Sequence, residues 1–175
     1  MVTTHAPTQL GFLTVLQEPS GFVGGYLVTN LWGRPIEFRL STAVQPNRVQ
    51  QILYGPTLSS YVHGEVIGRA LIEKTATAAS LVLTDKREVL DLRNHIDLPI
   101  AWITKSDSEI ECPGAIVRST NDRQPAMVAH PRHPGDLPRI REIAEQLEGL
   151  DLTEPFMRIC DAIAEARKLG VASRG

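Results

Sequence analysis

Cysteine is scarce in this sequence, charge is nearly balanced, and long apolar runs are missing. Only two cysteines occur, Cys112 and Cys160, and no CxxC pair is present. A zinc knuckle or a thioredoxin-like site therefore lacks its ligands, and a disulfide framework is not expected. The formal charge of −2 argues against a protein built mainly to neutralise phosphates, although a local basic groove remains open.

The missing elements also bear on location. No apolar run approaches the roughly 20 residues that cross a bilayer, and the first residues lack the basic start and apolar stretch of a signal peptide. We therefore expect a soluble, cytoplasmic protein with no membrane partner. The chain has 175 residues, 42% hydrophobic and 22% charged, which is enough for one packed domain and an appendage.

The first forty residues predict three antiparallel strands. GFLTVLQ (residues 11–17) and YLVTNLW (residues 26–32) are separated by EPSGFVGG, whose GFVGG predicts a hairpin turn rather than a phosphate loop. IEFRLS follows a short WGRP turn and alternates apolar with polar residues, as a strand with one buried face does. The close spacing and the glycine and proline breakers indicate a meander.

The next seventy residues predict helices that alternate with buried strands. PNRVQQILYG reads as a short helix, and a longer helix should run from Leu58 to about Lys74, capped by Thr57. Gly64 and Gly68 are spaced for close packing of that helix on the sheet.

Two buried strands should flank a short helix after that point. SLVLT and LPIAWIT (residues 98–104) are mostly apolar, and KREVLDLRN lies between them. A strand, a helix and a strand at this spacing form a βαβ unit, so the two strands should be parallel.

The chain should divide into three parts: an α/β core at residues 1–105, an irregular proline-rich segment at 106–136 with one weak strand candidate, GAIVR, and a helical hairpin at 137–170. Asp136 is a candidate cap for the first helix of the hairpin. The apolar stripes of both helices need cover. They can pack on the core, or they can bind a protein partner or a second copy in a homodimer.

The predicted order of elements resembles the ribonuclease H-like fold, which includes endonuclease V-like and retroviral-integrase-like enzymes. GGYLVTN, the long helix and a strand that ends in Thr-Asp have counterparts there. Glu65 stands twenty residues before Asp85, which is similar to the spacing of helix glutamate and strand-end aspartate in the endonuclease V branch. PIAWITK is similar to the strand that follows. The likeness covers roughly residues 10–105 and implies an α/β fold.

The resemblance also implies where metal ligands would lie. Two-metal cleavage of a phosphodiester needs a cluster of carboxylates, and the first one in this fold comes from the middle of the first strand. GFLTVLQ contains no acid, and Glu18 lies beyond the end of that strand. Glu65 would supply the ligand from the helix and Asp85 the one from the strand end, so Mg²⁺ would be held weakly.

Each of these residues also has a purely structural interpretation. Asp85 and Glu88 fit a capping box, D-K-R-E, at the start of the next helix, and we favour the cap. Glu65 fits a boundary position bonded to a hydroxyl or an arginine, and His63 a boundary or surface position. His130 and His133 in HPRHP are three residues apart and could share a metal, but a solvated loop fits better.

The sequence therefore favours a non-catalytic or weakly catalytic α/β protein that acts through binding, as a subunit or accessory protein without a cofactor. The first alternative is a metal-dependent nuclease or related phosphoryl-transfer enzyme that uses Mg²⁺ and nucleic acid, with Glu65, Asp85 and Glu18 as ligands. The second is a small-molecule-binding module with a pocket near the ends of the parallel strands.

Overall fold

A mixed sheet of seven strands forms the centre of the computed structural model, which describes residues 7–106, 110, 115–119, 124–147 and 149–170. The strands are β1 (Gln9–Glu18), β2 (Gly21–Asn30), β3 (Pro35–Leu40), β4 (Leu81–Thr84), β5 (Ile100–Thr104), β6 (Ile116–Val117) and β7 (Ala126–Ala129). They lie in the order β3-β2-β1-β4-β5-β7-β6. The predicted α/β class is confirmed.

The helices are α1 (Arg48–Tyr54), α2 (Leu58–Ser60), a π segment (Tyr61–Gly68), α3 (Arg69–Lys74), a 3₁₀ segment (Arg87–Asn94), α4 (Leu137–Gln146) and α5 (Glu154–Lys168). Short 3₁₀ turns precede α2 and α4. Across the described ranges, no helix is both long and apolar enough to cross a membrane.

The first three strands form the predicted antiparallel meander, in which β1 pairs with β2 and β2 with β3. The two later strands, β4 and β5, pair in parallel, as the βαβ pattern predicts, and β4 also lies parallel to β1. The 3₁₀ segment makes the connection between them, where the sequence predicts a short helix. The N-terminal strand is therefore inside the sheet, with neighbours on both sides.

The irregular structure predicted for residues 106–136 is wrong where β7 forms. β7 pairs antiparallel with β5, with Val128 opposite Trp102. β6 falls on the weak GAIVR candidate and pairs with β7. Four apolar residues between Pro125 and His130 are too few to show a period of two, and the pairing with β5 decides their conformation. Cys112 lies outside the described residues.

The two faces of the sheet bury separate cores. Consecutive residues of a strand point to opposite faces, so Phe12 faces α4 and α5 whereas Leu13 faces the π segment and the 3₁₀ segment. The ring of Phe156 on α5 meets Phe12 edge to face, with centroids 5.5 Å apart. Ile159 and Ile163 of α5 are 1% and 0% exposed, so the sheet of the same chain covers the apolar stripe that motivated the partner prediction. Partner binding through these helices stays a prediction.

The long predicted helix forms, but its middle is wound as a π helix. Thr57 does not cap it, because its hydroxyl donates to the carbonyl of Tyr54 at 2.7 Å. The π segment packs closely on the sheet because a glycine of the segment and a glycine of β2 lie at the contact. A Cβ on Gly68 would lie 3.0 Å from Leu13 Cδ2, and one on Gly24 of β2 would lie 2.2 Å from Ile67 Cγ2. Side chains at these glycines would push the helix off the sheet.

Asp136 occupies the predicted position at the start of α4, but the predicted capping bond of its side chain is wrong. Asp136 stands at the N-cap position of α4, but its side chain makes no capping bond. Arg93 of the 3₁₀ segment donates to both carboxylate oxygens of Asp136, at 2.7 Å from Nε and 3.1 Å from Nη2. The backbone of Asp136 is already helical (φ −76°, ψ −22°), whereas a capping residue normally has extended backbone. The bidentate ion pair takes the place of the cap.

Candidate functional site

A cleft of about 720 Å³ lies on the sheet face that carries the π segment. Trp102 of β5 and Val128 of β7 belong to its floor. Its walls come from the end of α1, the α2–π helix, the 3₁₀ segment and residues 130–132. The volume suits a small organic ligand.

One wall of the cleft is aromatic. The rings of Tyr54 and Tyr61 are stacked, with centroids 4.1 Å apart and planes 14° from parallel. Hydrogen bonding to Tyr61 raises the pKa of the Tyr54 phenol, as do its desolvation and the neighbouring carboxylate of Glu65. The pair therefore presents flat, neutral rings with hydroxyl groups at the mouth of the cleft.

The cleft carries charges of both signs, with Arg87 and Arg132 beside the carboxylates of Glu65, Glu88 and Asp91. The guanidinium carbon of Arg87 lies 6.0 Å from the centre of the Trp102 ring, within the range of a cation–π contact. Arg132, on the far wall, is exposed. A ligand in the cleft would therefore meet two guanidinium groups as well as aromatic rings.

A histidine fixed by hydrogen bonds closes the cleft beneath Arg132. His130 is 5% exposed, so the solvated loop predicted for HPRHP is wrong at this residue. Its Nδ1 accepts from the backbone amide of Arg132 at 3.1 Å, and its Nε2 lies 3.0 Å from Asp91 Oδ1. With Nδ1 accepting, Nε2 carries the ring proton and donates it to Asp91, while the side-chain nitrogen of Asn94 lies 3.3 Å from the same Nε2. His133 makes its own bond, 3.0 Å from Nε2 to Asn94 Oδ1.

Glu65, the predicted ligand from the helix, lies in this cleft. Its Oε1 is 3.1 Å from Nε2 of His95, and the two side chains are 42% and 37% exposed. The partner is thus a histidine rather than the hydroxyl or arginine predicted. The pair orients the His95 ring beside the aromatic wall.

Asp85, the predicted strand-end ligand, lies elsewhere. It lines a second cavity of about 450 Å³ with Ile103, Phe156 and Cys160. Ile103 and Trp102 are consecutive in β5, so the second cavity and the cleft lie on opposite faces of the sheet. Desolvation and, secondarily, the Asp85 carboxylate raise the pKa of the Cys160 thiol, which keeps that thiol protonated.

The predicted helix cap at Asp85 is wrong. The 3₁₀ segment begins at Arg87, the residue before it, Lys86, is extended, and no side-chain capping bond forms. Asp85 therefore stands one residue before the N-cap position, which Lys86 occupies. Its Oδ2 lies 3.7 Å from Lys86 Nζ, and its Oδ1 is shielded from solvent and has no hydrogen-bond partner among the described residues. Thr84 closes the turn instead, because its hydroxyl accepts from the Lys86 amide at 3.1 Å.

The third candidate, Glu18 at the end of β1, pairs with Arg167 of α5. The structure therefore gives Glu18, Glu65 and Asp85 three different partners and places Glu65 and Asp85 in different cavities. Within the described ranges, no group of three or more His, Cys, Asp or Glu side chains is placed to hold a metal ion. These donors do not fit a two-metal centre.

His63 is the one side chain of the π segment whose polar atoms are left without partners. Both ring nitrogens are shielded from solvent, and neither makes a hydrogen bond within the part of the chain that the structure describes. The ring meets Phe22 at a centroid distance of 5.2 Å. Desolvation lowers the pKa of His63, while the Glu88 carboxylate raises it and Lys86 lowers it further. A boundary position is correct, but the ring stays neutral.

No protein-family model and no curated protein matches this chain. Among solved structures, endonuclease V from Streptomyces avermitilis is similar, with a TM-score of 0.60 at 13% identity over 95% of this chain and 84% of that one. Endonuclease V from Bacillus subtilis matches with a TM-score of 0.44 at 15% identity over 70% of this chain and 63% of that one. The first likeness shows that this chain has an α/β fold similar to that of endonuclease V, and it confirms the predicted resemblance at the level of fold.

Sequence reasoning missed most of the cleft. The Tyr54–Tyr61 stack joins the end of α1 to the start of the π segment, and Asp91 and His130 are 39 positions apart. The one usable signal was the HPRHP cluster, whose first histidine is the buried one. Periodicity could not show that this segment folds back against the 3₁₀ segment.

Proposed function

We propose that this protein acts through binding, that the cleft is its binding site, and that its ligand is a nucleotide or the nucleotides of a short single strand. The observation that supports this most is the pairing of flat rings with cations in one depression. The stacked Tyr54 and Tyr61 stand at its mouth, and Arg87 and Arg132 line it together with Trp102.

The chemistry of such a ligand matches each wall. Every base has a π face, and stacking on an aromatic side chain contributes roughly 1–3 kcal/mol per base. Guanidinium groups bind phosphate through charge-assisted hydrogen bonds. The net charge of −2 adds no attraction for phosphate, and Glu65, Glu88 and Asp91 line the cleft beside the two arginines. Phosphate must therefore bind at Arg87 and Arg132 themselves. The fold similarity to endonuclease V supports a ligand of the nucleic-acid class.

Binding is favoured over cleavage because of where the acids lie. Glu65 is paired with His95 in the cleft, Asp85 lies in the other cavity, and the middle of β1 offers buried Leu13 and Thr14 where the fold would need a carboxylate. Replacing a hard oxygen ligand with a leucine or a threonine weakens the hold on a divalent ion.

The test is fluorescence anisotropy with a fluorescein-labelled single-stranded oligonucleotide, in competition with AMP. Tyr54→Ala and Arg132→Gln should each weaken binding about tenfold, which is the loss of one stack or one phosphate contact. Trp32→Ala and Arg141→Gln are matched controls, because both residues are exposed outside the cleft, and they should leave binding unchanged. The proposal fails if neither probe binds, or if cleft and control variants bind alike.

A second candidate is a metal-dependent nuclease, favoured only by the likeness to endonuclease V. Its test is cleavage of single-stranded and duplex DNA and RNA with added Mg²⁺. A cleavage activity that Glu65→Gln and Asp85→Asn both abolish would favour this candidate over simple binding. Cleavage that survives both substitutions would point to a contaminating nuclease.

A further inference from the structure

The strand β3 forms one edge of the sheet, and its hydrogen-bonding groups alternate in direction. The amide of Ser41 donates to the carbonyl of Gly24 on β2 at 2.9 Å. Because the direction alternates along a strand, Arg39 and Glu37, which stand opposite Tyr26 and Val28 of β2, also turn their amides and carbonyls to β2. Phe38 and Leu40 turn theirs outward, whereas the alternation breaks at Ile36, since the carbonyl of Arg34 accepts from the amide of Asn30 on β2.

The outer edge also exposes apolar surface. Ile36 is 46% exposed and Phe38 is 38% exposed, and within the described ranges no strand pairs with this edge. Such an edge is a ready template for another strand, and proteins that avoid pairing usually place lysine, proline or a bulge there. Pro35 and a bulge stand at the start of the strand, since Val28 pairs with Glu37 and Thr29 with Pro35, which leaves Ile36 as the extra residue. From Glu37 to Leu40 the edge has no lysine, proline or bulge.

The sequence of the edge is its own antiparallel complement. If two copies meet with Phe38 opposite Phe38, then Glu37 stands opposite Arg39. The Phe38 residues of the two copies, whose backbone groups point outward, then become a hydrogen-bonded pair. Opposite charges face each other twice, once on each side of the two-fold axis, which stabilises a cross-strand pair.

The charges are already held in the right place. Glu37 accepts from the amides of Ala76 and Thr77 at 3.1 Å and 2.8 Å, so its side chain is fixed. Arg39 Nη2 lies 2.8 Å from Glu37 Oε1 and its side chain is 46% exposed. In the pairing described, the Arg39 of each copy can bridge the Glu37 of both.

We propose that the protein forms a homodimer in which β3 pairs antiparallel with β3 of a second copy, about a two-fold axis at Phe38, so that one sheet runs through both copies. Charge complementarity selects a second copy over a peptide of arbitrary sequence. The interface is isologous and closes on itself, which stops assembly at the dimer. It leaves the cleft and the C-terminal helices free.

The test combines sedimentation equilibrium with hydrogen exchange on the full chain. Phe38→Lys puts two like charges on the axis and should raise the dimer dissociation constant by about tenfold or more. Ile52→Lys is the control, because Ile52 is an exposed apolar residue of α1 (64%), and it should leave the constant unchanged. A monomer at all concentrations, or a dimer that Phe38→Lys does not weaken, would overturn the proposal.

Hydrogen exchange of the unmodified protein supplies a result that does not depend on how a variant folds. As the protein concentration rises, the amide of Phe38 should exchange more slowly. The amides of Glu37 and Arg39, which already bond to β2, should not change. Protection of all three amides alike, or of none, would contradict edge pairing.

Discussion

The ion pair between Arg93 and Asp136 should contribute to stability far more than its surface counterparts do. The side chains are 14% and 9% exposed, and the two bonds between them join the 3₁₀ segment to the start of α4. Removing one partner of a buried pair costs about 3–5 kcal/mol, because the other charge stays buried. Arg93 keeps a bond to the Ile96 carbonyl at 2.8 Å and a contact with the exposed Asp97 at 3.6 Å.

These retained partners lower the expected loss for Asp136→Leu to about 2 kcal/mol, which is below the roughly 3–5 kcal/mol of a pair whose remaining charge has no partner. Arg93→Met leaves the Asp136 carboxylate without its bidentate partner and should cost about 3 kcal/mol. The double substitution replaces both charges with apolar groups and should cost about 1 kcal/mol, because no buried charge remains. The coupling between the two sites is then several times the error of a double-mutant cycle.

Urea unfolding followed by circular dichroism at pH 7 measures all three variants. Arg69→Met is the matched control, because Arg69 pairs with Glu73 on the surface with side chains 48% and 57% exposed, and such pairs contribute about 0–1 kcal/mol. If the double substitution costs as much as the two single ones together, the pair is not coupled, and the reasoning from burial is wrong.

Three further predictions concern single positions. Gly24→Ala places a Cβ 2.2 Å from Ile67 Cγ2 and should cost about 2 kcal/mol or more in urea unfolding, whereas Gly135→Ala, with open space around its Cβ, should cost nothing measurable. Burial holds the pKa of His63 below 6.5, so the unfolded chain binds the proton at a higher pH than the folded protein, and stability falls as the pH drops below 6.5. His63→Leu should therefore stabilise the protein more at pH 5.5 than at pH 8. Equal gains in the free energy of unfolding at the two pH values would refute this. Backbone hydrogen bonds from Thr77 and Ala76 lower the pKa of Glu37 from 4.5 to about 2. Its contribution to the free energy of unfolding is therefore complete above pH 4.5 and is lost as the pH falls towards 2. When unfolding is measured against pH, Glu37→Gln should lack this part of the loss of stability.

Much of the fold could be predicted because its signals are local. The strand at IEFRLS and the apolar runs of β4 and β5 all depend on residues a few positions apart. The buried face predicted for IEFRLS is wrong, however, because Ile36 and Phe38 are exposed at the edge of the sheet. Hydrophobic periods and turn residues report such features directly.

The features that escaped prediction depend on distant partners. Asp136 and Arg93 are 43 positions apart, and that ion pair overrides the local preference of Asp136 for capping. Asp85 failed as a cap for a different reason, because the extended backbone at Lys86 delays the helix start by one residue. The π winding of Tyr61–Gly68 likewise follows from packing between β2 and the 3₁₀ segment, which a period of 3.6 residues does not report.

The candidate site was predictable only in its list of residue types. Glu65 and Asp85 stand at the sequence spacing expected of the fold, yet the sheet separates their cavities. The side of a sheet to which a strand-end residue turns depends on a single residue of register. The turn at Thr84 sets the face to which Asp85 turns, and the apolar run of β4 before it would read the same for either face.

The strand order has a consequence for how the chain folds. After the hairpin of β1 and β2, β4, β5 and β7 join the sheet one after another at the same growing edge, and β3 joins the other edge. The edge of β1 that does not pair with β2 stays unpaired until β4 has been synthesised. β4 begins at Leu81, 63 residues after β1 ends at Glu18. During synthesis this ten-residue strand is exposed until the helices between have emerged, so we expect slow folding and misassembly through β1 when many chains fold together.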